Sequence, residues 1–290
     1  MKHLLFGCGY LGERVAKRWR EAGRDVTIVT RSGERAAAFE REGYRTIVAD
    51  ITDPATLVNL PTADTALFSV GFDRNAGGSI DQVYAGGLAN GLAALPFTVR
   101  RVTYISTTGV YGNGRDGEWV DEHTPPDPQR EGGHASLAAE QVLASHAIGK
   151  NSIILRLAGI YGPQRIPFLD KLRAGEPIPA ATEGYLNLIH VDDAATAVTA
   201  AAQLPPFNDG PRVYCVSDGH PVTRGDYYCE VARLLNAAPP TFVKPDLNSP
   251  RAARAEANRR INNSRMLADL GVTLEFPDYR AGLAAILAHV

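Results

Sequence analysis

Cysteine is scarce in this sequence, and no apolar segment is long. The 290 residues include three cysteines, Cys8, Cys215 and Cys229. An odd number without metal-ligand spacing argues against a disulfide framework and a metal site, and indicates reduced thiols in an intracellular protein. The apolar segment near the amino terminus breaks at glycine, too early for a signal-peptide core or a membrane span. The sequence therefore predicts a cytoplasmic protein with no metal site and no membrane partner.

An excess of charge is also missing. Lysine and arginine together number 30 against 32 acidic residues, and the isoelectric point is about 6.4. Such a balance does not attract nucleic acid or an anionic membrane by electrostatics. We therefore expect a small-molecule substrate as the partner, and no nucleic acid.

Strand-like and helix-like patterns alternate along the first 160 residues. The strand-like segments are HLLFG, DVTIVT, RTIVAD, DTALFSV, RRVTYIST and NSIILRLAG. Six buried-type strands with helices between them predict an α/β fold with a doubly wound parallel sheet of the Rossmann type. The alternation breaks after residue 160. We assign residues 1–160, with 186–216, to the Rossmann domain, and 161–185 and 217–290 to a smaller substrate-binding lobe.

The segment FGCGYLG places Gly7, Gly9 and Gly12 in the G-x-G-x-x-G spacing, after a predicted strand and at the start of a predicted helix. In this setting Gly7 permits a tight turn, Gly9 lets a pyrophosphate approach the backbone, and Gly12 allows close packing of helix and strand. The helix amino terminus, with Tyr10 and Leu11, offers amides to the phosphates. The segment therefore predicts a dinucleotide site, with an ordinary glycine turn as the alternative.

The end of the second predicted strand distinguishes NADP from NAD. An NAD site usually has an acid there for the ribose 2′-hydroxyl, but the sequence reads VTRSGER. Arg31 can pair with a 2′-phosphate and Ser32 can hydrogen-bond to it, with Arg35 one helical turn later. The pattern favours NADP as the cofactor over NAD, although Arg31 also fits a solvated surface position.

Two further strand ends contribute cofactor candidates. Asp50 ends the third strand and can accept a hydrogen bond from the adenine amino group. Its alternative role is to cap the next helix, but Asp53 followed by Pro54 fits that role better. Ser69 and Val70 end the fourth strand, where small residues leave room for a flat cofactor.

Several segments, in order along nearly the whole chain, resemble the NAD-dependent epimerase/dehydratase group of the extended and atypical short-chain dehydrogenases/reductases. They are GCGYLG, YISTTGVYG, LRLAGIYGP, NLIHVDDAATAV and NRRINNSRMLADLG. The resemblance implies a Rossmann domain with a smaller lobe, hydride exchange with NAD(P), and nucleotide-linked sugars as the usual substrates. It also favours a homodimer that forms through the helices after the fourth and fifth strands.

Members of the group that this sequence resembles carry a catalytic Tyr-x-x-x-Lys pair. This sequence has neither the tyrosine nor the lysine at the corresponding positions. Aligning EGGHASLAAEQ with the group places the Tyr position at Gly132 and the Lys position at Ser136. Only Thr107 matches the hydroxyl that polarises the substrate oxygen. His134 is the candidate for the missing proton-transferring group, although the pattern fits a surface histidine better.

Arg165, which follows IYGPQ, is the first candidate for contact with a substrate phosphate, because guanidinium pairs bidentately with phosphate. Tyr111 of the VYG segment is a second candidate substrate residue. The same phosphate chemistry is offered by Arg156, Arg173, Arg251, Arg254, Arg259 and Arg260, of which the cluster from 251 to 260 also fits a solvated surface.

These patterns together predict an NAD(P)-binding oxidoreductase with a non-standard acid–base group. Its substrate would be a nucleotide sugar or a related carbonyl or hydroxyl compound. The alternative is a catalytically silent NADP(H)-binding sensor or regulatory protein.

Overall fold

The computed structural model describes residues 1–75, 77–114, 116–244 and 256–288. Arg251 and Arg254 lie outside these ranges. Within them, every helix is too short or too polar to cross a membrane.

A seven-stranded parallel sheet forms the centre of the protein. Its strands are β1 (Lys2–Phe6), β2 (Asp25–Thr30), β3 (Arg45–Val48), β4 (Thr65–Phe68), β5 (Arg101–Thr107), β7 (Ile153–Leu157) and β12 (Arg212–Val216). The spatial order is β12-β7-β5-β4-β1-β2-β3, with every neighbouring pair parallel. The predicted doubly wound α/β fold is confirmed. The chain order reverses between β1 and β4, which opens a crevice at their carboxyl ends.

Helices cover both faces of this sheet. They are α1 (Tyr10–Glu21), α2 (Gly33–Arg41), α6 (Val191–Gln203) and α8 (Ser264–Leu270) on one face, and α3 (Gly87–Ala94) and α4 (Glu131–Ser145) on the other. The first core includes Leu5, Val15 and Val198, and the second includes Leu88 and Leu143. The buried side of α6 is mostly alanine, and the small methyl groups let α6 pack closely against α1.

A smaller lobe is built from segments that follow the carboxyl ends of β5, β7 and β12. Its elements are β6 (Glu118–Val120), β8 (Gly159–Tyr161), α5 (Leu169–Arg173), β9 (Ile178–Pro179), β10 (Tyr185–Leu186), β11 (Leu188–His190), β13 (Val222–Thr223), α7 (Arg224–Leu234), β14 (Phe242–Val243), β15 (Arg259–Ile261) and α9 (Tyr279–Leu287). The short strands pair as β6–β15, β8–β11, β9–β14 and β10–β13. Tyr161, Tyr227 and Leu283 are among the side chains that form the core of the lobe.

Two buried acids lie where the lobe meets the sheet. Asp193, in the first turn of α6, accepts hydrogen bonds from the amides of Glu275 at 2.8 Å and Phe276 at 3.0 Å. Asp218 follows β12, and one of its carboxylate oxygens accepts the amide of His220 at 2.9 Å. The other oxygen has no hydrogen-bond partner among the described residues. Burial raises the pKa of Asp218 to about 8.

Candidate functional site

The glycine-rich turn between β1 and α1 leaves open space at one glycine only. Gly7 has φ +80°, and a Cβ atom there would lie 2.7 Å from the Ser69 carbonyl oxygen. A Cβ atom on Gly12 would lie 2.8 Å from the Gly7 carbonyl oxygen. By contrast, a Cβ atom on Gly9 would meet no described heavy atom within 4 Å. Gly9 and the first amides of α1 therefore border a space that fits the pyrophosphate of a dinucleotide.

The two residues after Gly9 differ in what they offer. Leu11 is buried in the core under the sheet, so only its backbone can face a ligand. The hydroxyl of Tyr10 donates to the carbonyl oxygen of Pro163 at 3.0 Å. This hydrogen bond joins the glycine turn to the loop after β8. Ser69 and Val70 line the other side of the turn, next to Gly7.

The end of β2 carries charged groups that already have partners. Arg31 pairs with Asp73 at 2.6 Å, and both side chains are about half exposed, at 47% and 48%. The Ser32 hydroxyl caps α2 by accepting the Arg35 amide at 3.2 Å. Arg35 itself pairs with Glu13 at 2.7 Å. A 2′-phosphate at this site would therefore compete with Asp73 for Arg31.

Asp50 lies at the neighbouring strand end with one oxygen engaged. This oxygen accepts the amide of Thr52 at 2.8 Å and the Thr52 hydroxyl at 2.7 Å. These hydrogen bonds, together with the charge of Arg31, hold the pKa of Asp50 below its usual value. Asp50 is thus an ionised acceptor at neutral pH. The predicted cap at Asp53 is confirmed, because its side chain accepts the amide of Ala55 at 3.0 Å.

The start of α4 packs against the short turn that follows β5. A Cβ atom on Gly133 would lie 2.7 Å from the Gly109 carbonyl oxygen, so this approach requires glycine. Gly132 is less confined, since Ile80 at 3.8 Å is the one described side chain near its Cβ position. Ser136 is buried and donates from its hydroxyl to the Gly132 carbonyl oxygen at 2.8 Å. Gly132 and Ser136, the predicted Tyr and Lys positions, therefore offer no charged group.

Thr107 ends β5 at the edge of the crevice. Its hydroxyl oxygen accepts the amide of Gly109 at 3.0 Å, so its proton stays available for another acceptor. The candidate His134 is exposed on α4. Successive helical residues are 100° apart, so His134 projects about 200° away from Gly132, on the opposite side of the helix. A proton-transferring role for His134 stays a prediction.

Tyr111 and Arg156 belong to a buried network and not to a ligand pocket. Arg156 forms a buried ion pair with Glu140 at 2.6 Å, and it donates to the Tyr111 hydroxyl at 2.9 Å. That hydroxyl also lies 3.1 Å from the Cys215 sulfur. Burial raises the pKa of the Tyr111 phenol. Contrary to the sequence-based prediction, neither Tyr111 nor Arg156 presents a polar group to a substrate.

Arg165 lies against the glycine turn. Its guanidinium carbon is 5.0 Å from the centroid of the Tyr10 ring, and that of Arg14 is 4.2 Å from the same centroid. The Arg165 side chain is exposed. Arg173 makes a surface ion pair with Asp170 at 3.8 Å. Arg165 therefore lies beside Tyr10, the residue that follows Gly9 in the glycine turn.

Sequence reasoning missed two groups of this site. Asp73 follows β4, whose carboxyl end lies at the same edge as that of β2, so strand order combined with its charge would have suggested it. Arg130 immediately precedes α4, and its guanidinium nitrogen would lie 3.7 Å from a Cβ atom on Gly109. Its position two residues before the Tyr position was the available signal.

Comparisons with known proteins agree with this architecture. The chain is 29% identical over 285 residues to Protein YeeZ of Escherichia coli (strain K12), covering 96% of this chain and 97% of that protein. It is 25% identical over 320 residues to the 3-diazoavenalumate denitrifying reductase of a Streptomyces species, covering 98% of this chain and 99% of that protein. The solved structure of a functionally unknown conserved protein from Silicibacter pomeroyi is also similar. It has a TM-score of 0.79 and 30% identity, and the match covers 99% of this chain and 98% of that one.

A family model also matches most of the chain. The model of the NAD-dependent epimerase/dehydratase family matches residues 4–217, which include the whole glycine-rich turn and six of the seven central strands, with most of the seventh. The chain therefore belongs to the NAD-dependent epimerase/dehydratase family.

Proposed function

We propose that this protein binds a nicotinamide dinucleotide and oxidises or reduces a small-molecule substrate at a hydroxyl or carbonyl carbon. The observation that carries the proposal is the open space at Gly9, in front of the uncapped amino terminus of α1. The first amides of a helix bind phosphate oxygens well, because they are unpaired and carry partial positive charge. Family membership supports the same ligand.

The residues around the crevice suggest how the cofactor would be held. The amides of α1 would bind the pyrophosphate, and the ionised Asp50 would accept from the adenine amino group. Arg31 would exchange Asp73 for the 2′-phosphate of NADP, because a doubly charged phosphate is a stronger partner for guanidinium than one carboxylate. When bound, the nicotinamide supplies or accepts the hydride. We infer a preference for NADP over NAD from this arrangement.

Thr107 is the proposed catalytic hydroxyl. Because it accepts from Gly109, its own proton can be donated to the substrate oxygen and polarise that oxygen. Gly132 and Ser136 offer no charged proton carrier, and His134 lies on the other side of α4. We therefore propose that a water molecule at the solvent-facing crevice, held by Thr107, supplies or takes the substrate proton.

The proposed substrate is a nucleotide sugar or a related carbonyl or hydroxyl compound. The nucleotide sugar follows from the resemblance described above, and the Streptomyces relative, whose name describes a reductase, supports reduction. Formation of a homodimer through α3 and α4 stays a prediction, which sedimentation equilibrium would test.

A second candidate function is a silent NADP(H) sensor. The observation that favours it is the closed arrangement of Ser136, whose hydroxyl is satisfied by the Gly132 carbonyl inside the helix. A position arranged in this way has no free group for chemistry, although the cofactor space at Gly9 remains open.

One experiment distinguishes the two candidate functions. Calorimetry would first measure NADP and NAD binding, and the absorbance of NADPH would then be followed with nucleotide sugars, aldehydes and ketones. For an enzyme, we expect turnover that falls on the order of 10²-fold in Thr107→Val, as for loss of one oxyanion donor. Thr107→Ser, which keeps the hydroxyl, is the matched control. Tight NADP binding without turnover of any compound would favour the sensor.

A further inference from the structure

A second concave space lies between the helices α1 and α2. Its volume is about 510 Å³, which is within the size range of small-molecule sites, roughly 300–1,000 Å³. All of its lining residues lie between Cys8 and Tyr44 in the sequence, and they do not include Gly9, Arg31 or Asp50. This α1–α2 groove is therefore separate from the space proposed for the dinucleotide.

The buried side of the α1–α2 groove is apolar. Phe39 and Tyr44 line it and are only 6% and 8% exposed. Their rings are perpendicular, with centroids 6.2 Å apart. Ala16 of α1 and Ala38 of α2 also line the groove, and these small side chains leave space between the two helices. An apolar surface with a few polar groups around it is the usual construction of a site for a small organic molecule.

Two polar contacts connect the helices on either side of the groove. Arg35 of α2 pairs with Glu13 of α1 at 2.7 Å. Arg20 of α1 donates to the carbonyl oxygen of Glu42, the residue that follows α2. Glu13 and Arg20 are seven residues apart, which is about 10 Å along a helix. The length of helix between the two contacts suits a compound with one or two aromatic rings.

Cations outnumber acids among the charged residues of the lining. The cations are Arg14, Lys17, Arg20 and Arg35, and the acids are Glu13 and Glu42. Lys17 is weakly held, because its Nζ atom lies 3.8 Å from Glu21 and the two side chains are 67% and 60% exposed. An exposed pair of this kind contributes little to stability, so Lys17 can turn toward a ligand.

Arg20 is also available to an anion, because its contacts are with neutral groups. It donates to the Glu42 carbonyl oxygen, and its guanidinium carbon lies 4.3 Å from the centroid of the Tyr44 ring. Guanidinium groups bind carboxylate and phosphate oxygens in preference to such partners. Lys17 and Arg20 both belong to α1 and lie three residues apart, so they share one side of the helix.

We infer that the α1–α2 groove is a second small-molecule site, for an aromatic anion that carries a carboxylate or phosphate group. The ring lies against Phe39 and Tyr44, and the anionic group pairs with Lys17 and Arg20. The inference goes beyond the proposed function and does not depend on it, because none of these four residues takes part in the proposed binding of the dinucleotide.

The first test fills the groove without changing its charge. The probe is 1-anilinonaphthalene-8-sulfonate, an aromatic anion whose fluorescence reports binding to apolar surface. Ala38→Leu places a larger side chain in the groove, and Ala37→Leu makes the same change on the exposed side of α2. We expect the dissociation constant of the dye to rise about tenfold or more in Ala38→Leu, because the leucine occupies the space of the ring. Ala37→Leu should bind the dye as the wild type does. Equal dissociation constants in the two variants, or no dye binding by the wild type, would overturn the inference.

The second test changes the charge and leaves the volume. Lys17→Gln should weaken dye binding about two- to fivefold, as for the loss of one exposed ion pair. Lys150→Gln, at an exposed lysine outside the groove, is the matched control and should have no effect. Both positions are on the surface, so this comparison decides the matter even if Ala38→Leu fails to fold. The same affinity in Lys17→Gln as in Lys150→Gln would contradict the assignment of the anionic group to Lys17.

Displacement of the dye identifies the class of ligand. Benzoate and phenyl phosphate would be compared with the neutral benzamide at equal concentration. We expect one or both of the anions to displace the dye at lower concentration than benzamide does, and the more effective anion assigns the site to carboxylates or to phosphates. Equal displacement by all three compounds would show that the groove does not select anions and would overturn the inference.

The dye can also enter the dinucleotide space, so a Gly9→Val background separates the two sites. We expect the difference between Ala38→Leu and Ala37→Leu to persist in that background. If the difference disappears there, the dye had reported the dinucleotide space and the groove site is wrong. If it persists while the wild type binds neither NADP nor NAD, the proposed function fails and the groove site stands.

Discussion

Gly9 differs from its two neighbours in the motif, because it faces open space while Gly7 and Gly12 face backbone. A side chain at Gly9 therefore has room in the free protein but would occupy the proposed pyrophosphate space. We expect Gly9→Val to abolish NADP binding by calorimetry while circular dichroism shows an unchanged fold. Ala37→Val, which places a valine on the exposed side of α2 and away from the glycine turn, should bind normally. A folded Gly9→Val protein with normal NADP affinity would place the pyrophosphate elsewhere.

A second prediction at the residue scale concerns the ion pair of Arg31 and Asp73. In Arg31→Asp, the 2′-phosphate would meet an acid, so we expect NADP binding to weaken by about 1.5–3 kcal/mol. NAD binding should be unchanged or stronger. Asp73→Asn is the counterpart, because it frees Arg31 and should strengthen NADP binding. Equal dissociation constants of the wild type for both cofactors would remove the basis for this preference.

The individual site residues were predicted unevenly from the sequence. The glycines follow from local spacing, because the turn and the following helix lie in one short segment. The partners of Arg31 and Arg156 lie elsewhere in the chain, at Asp73 and Glu140. Nothing in a local pattern specifies which acid reaches which arginine, since the sheet brings them together. The buried direction of the Tyr111 hydroxyl was unpredictable for the same reason.

At the scale of elements, helix α4 allows a test of the missing catalytic pair. Gly132→Tyr should be tolerated, because the space at its Cβ position is open apart from Ile80. Ser136→Lys alone should lower the unfolding temperature, because the Ser136 site is buried and adjoins the Tyr104 phenol. We expect the double variant to reduce carbonyl compounds faster than either single variant, since lysine would act through tyrosine. Tyr104→Phe with the same pair would relieve crowding at the lysine. An NADP-bound double variant without any gain would favour the sensor function.

The strands of the central sheet were predictable, whereas those of the lobe were not. A parallel strand buried on both faces is a run of apolar residues, which a sequence displays directly. The lobe strands β9, β10, β13 and β14 have two residues each. Segments so short have no periodicity, and their pairing is set by distant partners. β6 pairs with β15, for example, with Arg259 opposite Glu118.

At the scale of the whole molecule, the junction between sheet and lobe should respond to pH through Asp218. Its folded pKa of about 8 exceeds that of the unfolded chain, so the folded protein holds a proton that the unfolded chain loses. The stabilisation is complete below the unfolded pKa and is lost as pH rises through the folded pKa. Unfolding free energy should therefore fall between about pH 4 and pH 8.

Asp218→Asn tests this dependence. The amide cannot ionise, so the variant should lose much of the decline and gain more than about 1 kcal/mol at pH 8, since each tenfold displacement of an ionisation equilibrium corresponds to about 1.4 kcal/mol. Urea unfolding at several pH values would measure it. Asp209→Asn, at an exposed acid, is the control and should follow the wild type. Parallel pH curves for Asp218→Asn and the wild type would contradict the assignment.

The hydrogen bond from Tyr10 to Pro163 links the glycine turn, where the dinucleotide would bind, to the loop after β8 in the substrate lobe. A dinucleotide bound at the glycine turn and a substrate bound in the lobe would both affect this hydrogen bond. By thermodynamic reciprocity, the factor by which one ligand changes the affinity of the other is the same in both directions. We expect a coupling factor above one in the wild type and a value near one in Tyr10→Phe, from titrations of each ligand with and without the other. The affinity that each ligand gains from the other would then depend on one phenol.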